Sequence, residues 1–316
     1  MTDYTELQVR QMNSNFIAGL NDPQSGSKTA SETLNNDIII PILYEDGFKR
    51  RVVPVRPITP MELQTDYSGN PEIPTKFVPF AEPVGSYLAT STDWLQPTKD
   101  IRYNSKFYRI RFRPIVTRRF KMTENQIITA PWPIRQYIEG LFRNDIMARE
   151  DFEFVDNLER CLSAQVSQGQ NAIISTTSPK LLIKDIADLA KEMERNRVPV
   201  YCFLVSSVTF LDFLKVEQTD VGSLQMNDIY TTGIMGEQLK YKAYGGFKWI
   251  LSNNLDIVPE NQIYAITNPA MLGRFYQLQA PQTYVKWENN VLEIKTREII
   301  GDGIANVGGV KKLIMV

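Results

Sequence analysis

Between Trp132 and Gln168 the apolar residues Ile134, Ile138, Phe142 and Ile146, then Phe152, Val155, Leu158, Leu162 and Val166, recur at three- and four-residue spacing, the period of an amphipathic helix. Pro131 and Pro133 mark its start, because proline is tolerated in the first turn and breaks a helix further in. At about 1.5 Å per residue such a helix runs roughly 50 Å, against a usual helix of about 11–12 residues. A chain that commits so much of itself to one rod has to assemble its other elements along it.

The region N-terminal to the rod reads differently. Residues 1–36 are dominated by Asn, Ser, Thr, Gln and Gly and predict an extended arm. Within it Tyr4, Leu7, Met12 and Phe16 give a short amphipathic helix that needs a partner surface, expected on a neighbouring molecule. Residues 37–125 combine β-branched and aromatic residues with ten prolines from Pro41 to Pro114, which favours extended segments and edge strands over helices. In that region Phe107–Arg113 alternates strictly, so a strand places Arg109, Arg111 and Arg113 on one face and Tyr108, Ile110 and Phe112 on the other.

C-terminal to the rod the pattern is that of an α/β unit. Ser178 as N-cap and Pro179 at the first helical position open a helix with Leu182, Ile186, Leu189 and Met193 on one face. Val200–Val205 is apolar throughout, as a central strand requires, and Ser206-Ser207 caps a short helix through Phe210, Phe213 and Leu214. Gly245-Gly246 between alternating runs predicts a hairpin. A strand over 263–267, a short helix from Asn268-Pro269, and strands over 274–278, 284–287 and 291–300 complete the reading.

Composition removes several function classes. The chain has no histidine, which rules out a Ser-His-Asp triad and the commonest metal ligand. Its two cysteines, Cys161 and Cys202, form no C-x-x-C pair, so a Cys-rich zinc site is excluded and buried free thiols are expected. Gly301–Asn306 does not open a helix after a strand, and Gly26-Ser27-Lys28-Thr29 lacks adjacent Gly-Lys. Both are read as turns rather than phosphate loops. Asp151, Glu153, Asp156 and Glu159 lie among Arg143, Arg149 and Arg160 and predict ion pairs on a solvated helix face. No catalytic, metal or cofactor residue is assigned. No apolar stretch spans a bilayer, and the N-terminus has no secretory pattern.

Charge balance isolates one feature. Lys plus Arg number 35 and Asp plus Glu 36, so no net field draws the molecule to a polyanion. Yet residues 102–121 carry eight basic residues and no acid. Their counter-charge is a neighbouring subunit, nucleic-acid phosphate or solvent. The candidate intersubunit contacts are Arg109, Arg111, Arg113, Arg118, Arg119 and Lys121.

The order of arm, β excursion, long helix, α/β unit and closing strands resembles the tailed-phage major capsid proteins with the Johnson fold. So do Phe203-Leu204-Val205-Ser206 with Phe210–Leu214, Ser252-Asn253-Asn254 before Val258-Pro259, Asn268-Pro269 with Leu272-Gly273, and Arg297-Glu298 before Gly301. The resemblance implies an α+β fold with an N-terminal arm (1–36) and an extended β loop (46–125). It implies a peripheral domain (37–45, 126–180 and 273–316) with a spine helix over about 132–168, and an axial domain (181–272). The implied function is self-assembly, without cofactor, into hexamers and pentamers of an icosahedral shell around double-stranded DNA. The loop would lie across the adjacent subunit. The implied partners are further copies of the chain, cement, scaffolding and portal proteins, and DNA by non-specific contact only, in a virion assembled in the host cytoplasm. Encapsulin compartments share the fold and differ in enclosing a cargo enzyme. A carboxylate-dependent hydrolase is the other alternative and requires a pocket of clustered acids.

Overall fold

The computed structural model describes residues 5–21, 47–63, 74–80, 106–176, 183–211 and 247–316. In chain order the elements are α1 (Glu6–Leu20), α2 (Phe48–Val52), β1 (Arg56–Pro57), β2 (Thr75–Phe80), β3 (Lys106–Val116), β4 (Phe120–Thr123), α3 (Glu124–Thr129) and α4 (Ile134–Ser167). After them come β5 (Ile173–Thr176), α5 (Ile183–Arg195), β6 (Val200–Ser206), α6 (Ser207–Phe210), β7 (Lys248–Ser252), β8 (Gln262–Thr267), α7 (Pro269–Leu272), β9 (Gly273–Glu288), β10 (Val291–Ile304) and β11 (Val310–Met315).

The long helix α4 runs for 34 residues with Pro133 at its N-cap. Its buried stripe is Ile134, Ile138, Phe142, Ile146, Glu150, Phe154, Leu158 and Leu162, each four residues from the last. Because four residues turn the helix by about 40° more than a full circle, this stripe winds around the rod and its two halves face different neighbours. The sequence reading left the stripe at Glu150 and resumed on Phe152, but Phe152 and Val166 are about half exposed and Phe154 is buried. A search for apolar residues alone cannot follow a stripe through a buried carboxylate.

The N-terminal half of α4 packs on α1, α3 and the β9–β10 hairpin around Ile17, Leu20, Ile127, Leu292 and Ile294. Helix α1 packs on its own chain through another face than the one expected: Val9, Asn13, Ile17 and Leu20 are buried, whereas Leu7 is 77% exposed and Met12 also faces outward. Tyr4 lies outside the described residues. The reason is Asn13. Its Nδ2 donates to the carbonyls of Ile127 (3.0 Å) and Trp132 (3.2 Å), and its Oδ1 accepts from Ile134 N–H at 3.0 Å. It thus caps a helix whose own N-cap proline has no side-chain acceptor.

The six-stranded sheet has the order β1-β9-β10-β3-β2, with β4 paired to the start of β10. The hairpin β9–β10 turns at Asn289-Asn290, both at positive φ (52° and 59°), as a two-residue type I′ turn requires. Strand β9 is continuous where two separate runs were expected. It carries Pro281 through a register shift that sets Arg297 against Gln282 and Ile299 against Gln279, a bulge that accommodates the missing N–H. The glycine segment read as a turn is strand as far as Ile304. A Cβ at Gly303 would lie 2.6 Å from Ile110 and one at Gly301 2.8 Å from Phe112, so both glycines admit the apolar side chains of β3.

The second sheet has the order β5-β11-β8-β6-β7. Helix α5 covers one face with Ile186, Leu189 and Met193 against Phe203, Val205 and Trp249. The C-terminal half of α4, with α2, covers the other against Cys202, Leu204, Ile250 and Tyr264. Strands β5 and β11 are absent from the sequence reading: β11 joins this sheet antiparallel to β8, and β5 extends it parallel to β11. Gln165 ties the end of α4 to it by donating to the carbonyls of Val307 (2.6 Å) and Val310 (2.8 Å). Cys161 and Cys202 are free thiols, and burial pushes their pKa values up to about 11 and about 12. The Ser178 cap, Pro179, Leu182, Phe213, Leu214, the Gly245-Gly246 hairpin and Gly26–Thr29 lie outside the described residues.

Candidate functional site

Strand β3 alternates as its sequence predicts. Ile110 and Phe112 are buried against the glycines of β10, and Arg109, Arg111 and Arg113 are exposed. The three arginines face α4 across a cleft of about 190 Å³ lined also by Glu153, Asp156, Asn157, Arg160 and Asp302. The acids in that cleft already have partners. Arg149 Nε lies 3.0 Å from Glu153, Arg160 Nη2 2.6 Å from Asp156, and Lys49 Nζ 2.8 Å from Asp302. Beyond the strand, Arg119 and Lys121 share Glu293 at 2.7 and 3.6 Å. The stripe therefore divides into two cations, Arg119 and Lys121, that share one carboxylate, and three arginines, Arg111, Arg113 and Arg118, that form no ion pair among the described residues.

The carboxylates of α4 divide likewise. Glu153 and Asp156 make the solvated pairs expected of them, and Glu159 joins Lys312 at 2.7 Å while accepting from Tyr264 Oη at 2.5 Å. Asp151 departs from that expectation. It is buried, accepts the backbone N–H of Lys49 at 2.9 Å, and burial pushes its pKa up to about 7.

Asp151 belongs to a cluster that sequence reasoning did not find. Arg50 of α2 donates from Nε to Glu150 Oε2 (3.0 Å) and from Nη2 to Glu150 Oε1 (2.6 Å) and Glu298 Oε1 (2.7 Å). Gln277 adds a donor to Glu298 Oε1 at 2.8 Å. All the charged groups are nearly or wholly withdrawn from solvent. Burial, then the adjacent Glu150 charge, push Glu298 up to about 8. In Glu150 the Lys49 charge and the Arg50 hydrogen bond outweigh burial and hold the pKa below the ordinary value. In Lys49 the charges of Asp302 and Glu150 likewise overcome burial and raise it.

A signal for this cluster was present in the sequence. Glu150 occupies the missing beat between Ile146 and Phe154, and Glu298 is in phase with Leu292, Ile294 and Ile300 on the inner face of β10. The cluster is a lock rather than an acid–base pair on a shared cleft: Asp302 borders the arginine cleft, Asp151 borders another with Arg51 and Arg143, and Glu150 and Glu298 are held by Arg50.

No protein-family model and no curated protein matches this sequence. Solved structures do. A chain from Microbacterium phage Oxtober96 is similar over 81% of this chain and 89% of its own, at 10% identity and TM-score 0.54. A chain of the Cyanophage Pam1 capsid asymmetric unit is similar over 76% and 84%, at 11% identity and TM-score 0.52. One from the capsid structure of Cyanophage P-SCSP1u is similar over 84% and 86%, at 10% identity and TM-score 0.52. At such identities the likeness is one of architecture, and that architecture, two sheets strung along one long helix, is the Johnson-type fold of phage capsid proteins.

Proposed function

We propose that this chain is the major capsid protein of a tailed phage, a structural subunit that assembles into hexamers and pentamers of an icosahedral shell around double-stranded DNA. One observation carries the reading: the fold is shared over 81% of this chain and 89% of the phage chain compared with it, so the resemblance covers the body of the molecule rather than one module. In this reading residues 1–36 are the arm, 46–125 the loop lying on the adjacent subunit, and 181–272 the axial domain. Residues 37–45, 126–180 and 273–316 form the peripheral domain, with α4 as its spine. The two cores along α4 make each subunit a stiff unit. Contacts repeated around closed rings then need no single strong interface.

Arg109, Arg111, Arg113, Arg118, Arg119 and Lys121 are the candidate intersubunit contacts. The three that form no ion pair among the described residues, Arg111, Arg113 and Arg118, are the ones offered to an acidic patch on the next copy. The subunit works without catalysis or cofactor and touches DNA non-specifically. Cement, scaffolding and portal proteins are its further partners, in a virion built in the host cytoplasm. Negative-stain electron microscopy with light scattering on the purified chain tests this. Uniform rings or shells are expected, with DNA inside particles taken from infected cells. Shells filled with a cargo enzyme would transfer the reading to an encapsulin-like compartment, and a monomer at every salt concentration would overturn it.

A further inference from the structure

Among the described residues, the cluster around α2 holds more negative than positive charge. Two cations, Lys49 and Arg50, come from α2. Against them stand four carboxylates, Glu150 and Asp151 from α4 and Glu298 and Asp302 from β10. Strand β9 contributes the neutral Gln277. Among the described residues, further charges line three bordering clefts: Arg51 and Arg143 beside Asp151; Arg109, Arg111, Arg113, Arg160, Glu153 and Asp156 beside Asp302; and Arg51, Arg56 and Arg274 beside Arg50 itself. Full ionisation would leave the interior of the cluster with surplus negative charge out of water, which costs several kcal/mol per ion. Arg50 Nη2 reaches one oxygen of each of Glu150 and Glu298, and Glu298 Oε2 is buried without a hydrogen-bond partner.

We propose that Glu150 and Glu298 hold a single proton between them beneath Arg50, making α2 a proton-controlled clasp that is tightest in mildly acid solution and opens more readily as the pH rises through neutrality. The inference concerns the folded subunit and stands whether or not the chain forms a shell. Within the capsid reading, it puts the joint at the N-terminal root of the loop, where α2 packs on α4.

The sign comes from linkage. A group whose folded pKa is raised keeps a proton that the opened state releases, so opening grows by up to about tenfold per pH unit per proton between the ordinary carboxylate range and the raised value. Above the raised value, opening levels off. Glu150, held low, affects only more acid solution, and Asp151 acts in the same sense as Glu298 up to about 7. The interval from about 7 to about 8 therefore belongs to Glu298.

Hydrogen exchange across residues 47–58 of the purified protein, corrected for the intrinsic pH dependence, reads this directly. The expected result is opening that rises several-fold from about pH 7 to 8 and levels by about 9, and Glu298→Gln that is flat over the same interval. A wild type that is flat throughout, or a Glu298→Gln protein that keeps the wild-type slope, overturns the proposal. Should Glu298→Gln not fold, infrared difference spectra of the native protein decide it. A protonated-carboxyl band whose loss centres near pH 8, above that of Asp151, supports the shared proton, and no band lost above about pH 7 overturns it.

Discussion

Two groups of charged side chains meet at strand β10. The arginine stripe gathers cations from one strand and the turn after it, where like charges adjacent in sequence cannot neutralise one another and so stay exposed. The α2 clasp gathers opposite charges from distant positions, Arg50 and Glu298 being 248 residues apart, and buries them. The difference shows what distance along the chain allows. A local run of one sign is a surface to be matched from outside, whereas a buried network has to be brought together by the fold and then holds that fold in register.

The sharpest way to break the comparison is Arg50→Met. It leaves Glu150 and Glu298 buried against each other without their shared cation, and removing one partner of a buried pair costs about 3–5 kcal/mol. That is a large share of a typical total of about 5–15 kcal/mol. Urea unfolding of the dissociated subunit should show a loss of this size, or the variant should fail to accumulate in soluble form. A loss below about 1 kcal/mol would mean that the clasp does not lock the fold.

Gly303→Ala comes next, because it strikes the seam between the two regions. The new Cβ would meet Ile110 Cγ1 at 2.6 Å and Tyr108 Cε2 at 2.9 Å, the apolar side chains that back the stripe. Overpacking of this kind costs about 1–3 kcal/mol. Because Asp302 is the neighbouring residue and pairs with Lys49, the damage should reach the clasp as faster exchange over 47–58, while the exposed arginines keep their surroundings.

The stripe was legible in the sequence and the clasp was not, for a physical reason. Alternation in β3 and periodicity in α4 are local: the first formed as predicted, with Ile110 and Phe112 buried, and the second held through Ile146 and at Val155, Leu158 and Leu162, but not at Phe152 and Val166. Asn13, Glu150 and Glu298 are polar residues on buried faces. Each is buried because a distant partner satisfies it: the carbonyls of Ile127 and Trp132 for Asn13, Arg50 for the two glutamates. A pattern search scores such residues as exposed, which is how it chose the wrong face of α1 and stepped from Ile146 to Phe152. Buried polar residues in phase with an apolar stripe are the signal that was available and unused. Strand β5 is four residues long and gains its place only by pairing with β11, which no local pattern reveals.

A smaller effect separates the paired from the unpaired part of the stripe. Arg119 and Glu293 are 2.7 Å apart, with Arg119 about half exposed, and a pair in that setting is worth about 0.2–1 kcal/mol. A double-mutant cycle with Arg119→Ala and Glu293→Ala should give a coupling in that range that falls as salt is raised. Coupling well above it would place Arg119 with the clasp residues, as a fold-holding charge.

The smallest expected change in folding falls on Arg111 and Arg113, and there the comparison is most exposed to failure. Both are exposed and make no ion pair among the described residues, so Arg111→Gln with Arg113→Gln should leave the unfolding free energy within about 0.5 kcal/mol of wild type. If their counter-charge is an acidic patch on the next copy, the same double variant should assemble more slowly and lose most of the salt dependence of assembly. Light scattering across a salt series reads both quantities. A double variant that unfolds early would show that the arginines support their own chain, as the clasp does. One that folds and assembles like wild type at every salt concentration would show that solvent is their partner, and the interface would then have to be sought on another face.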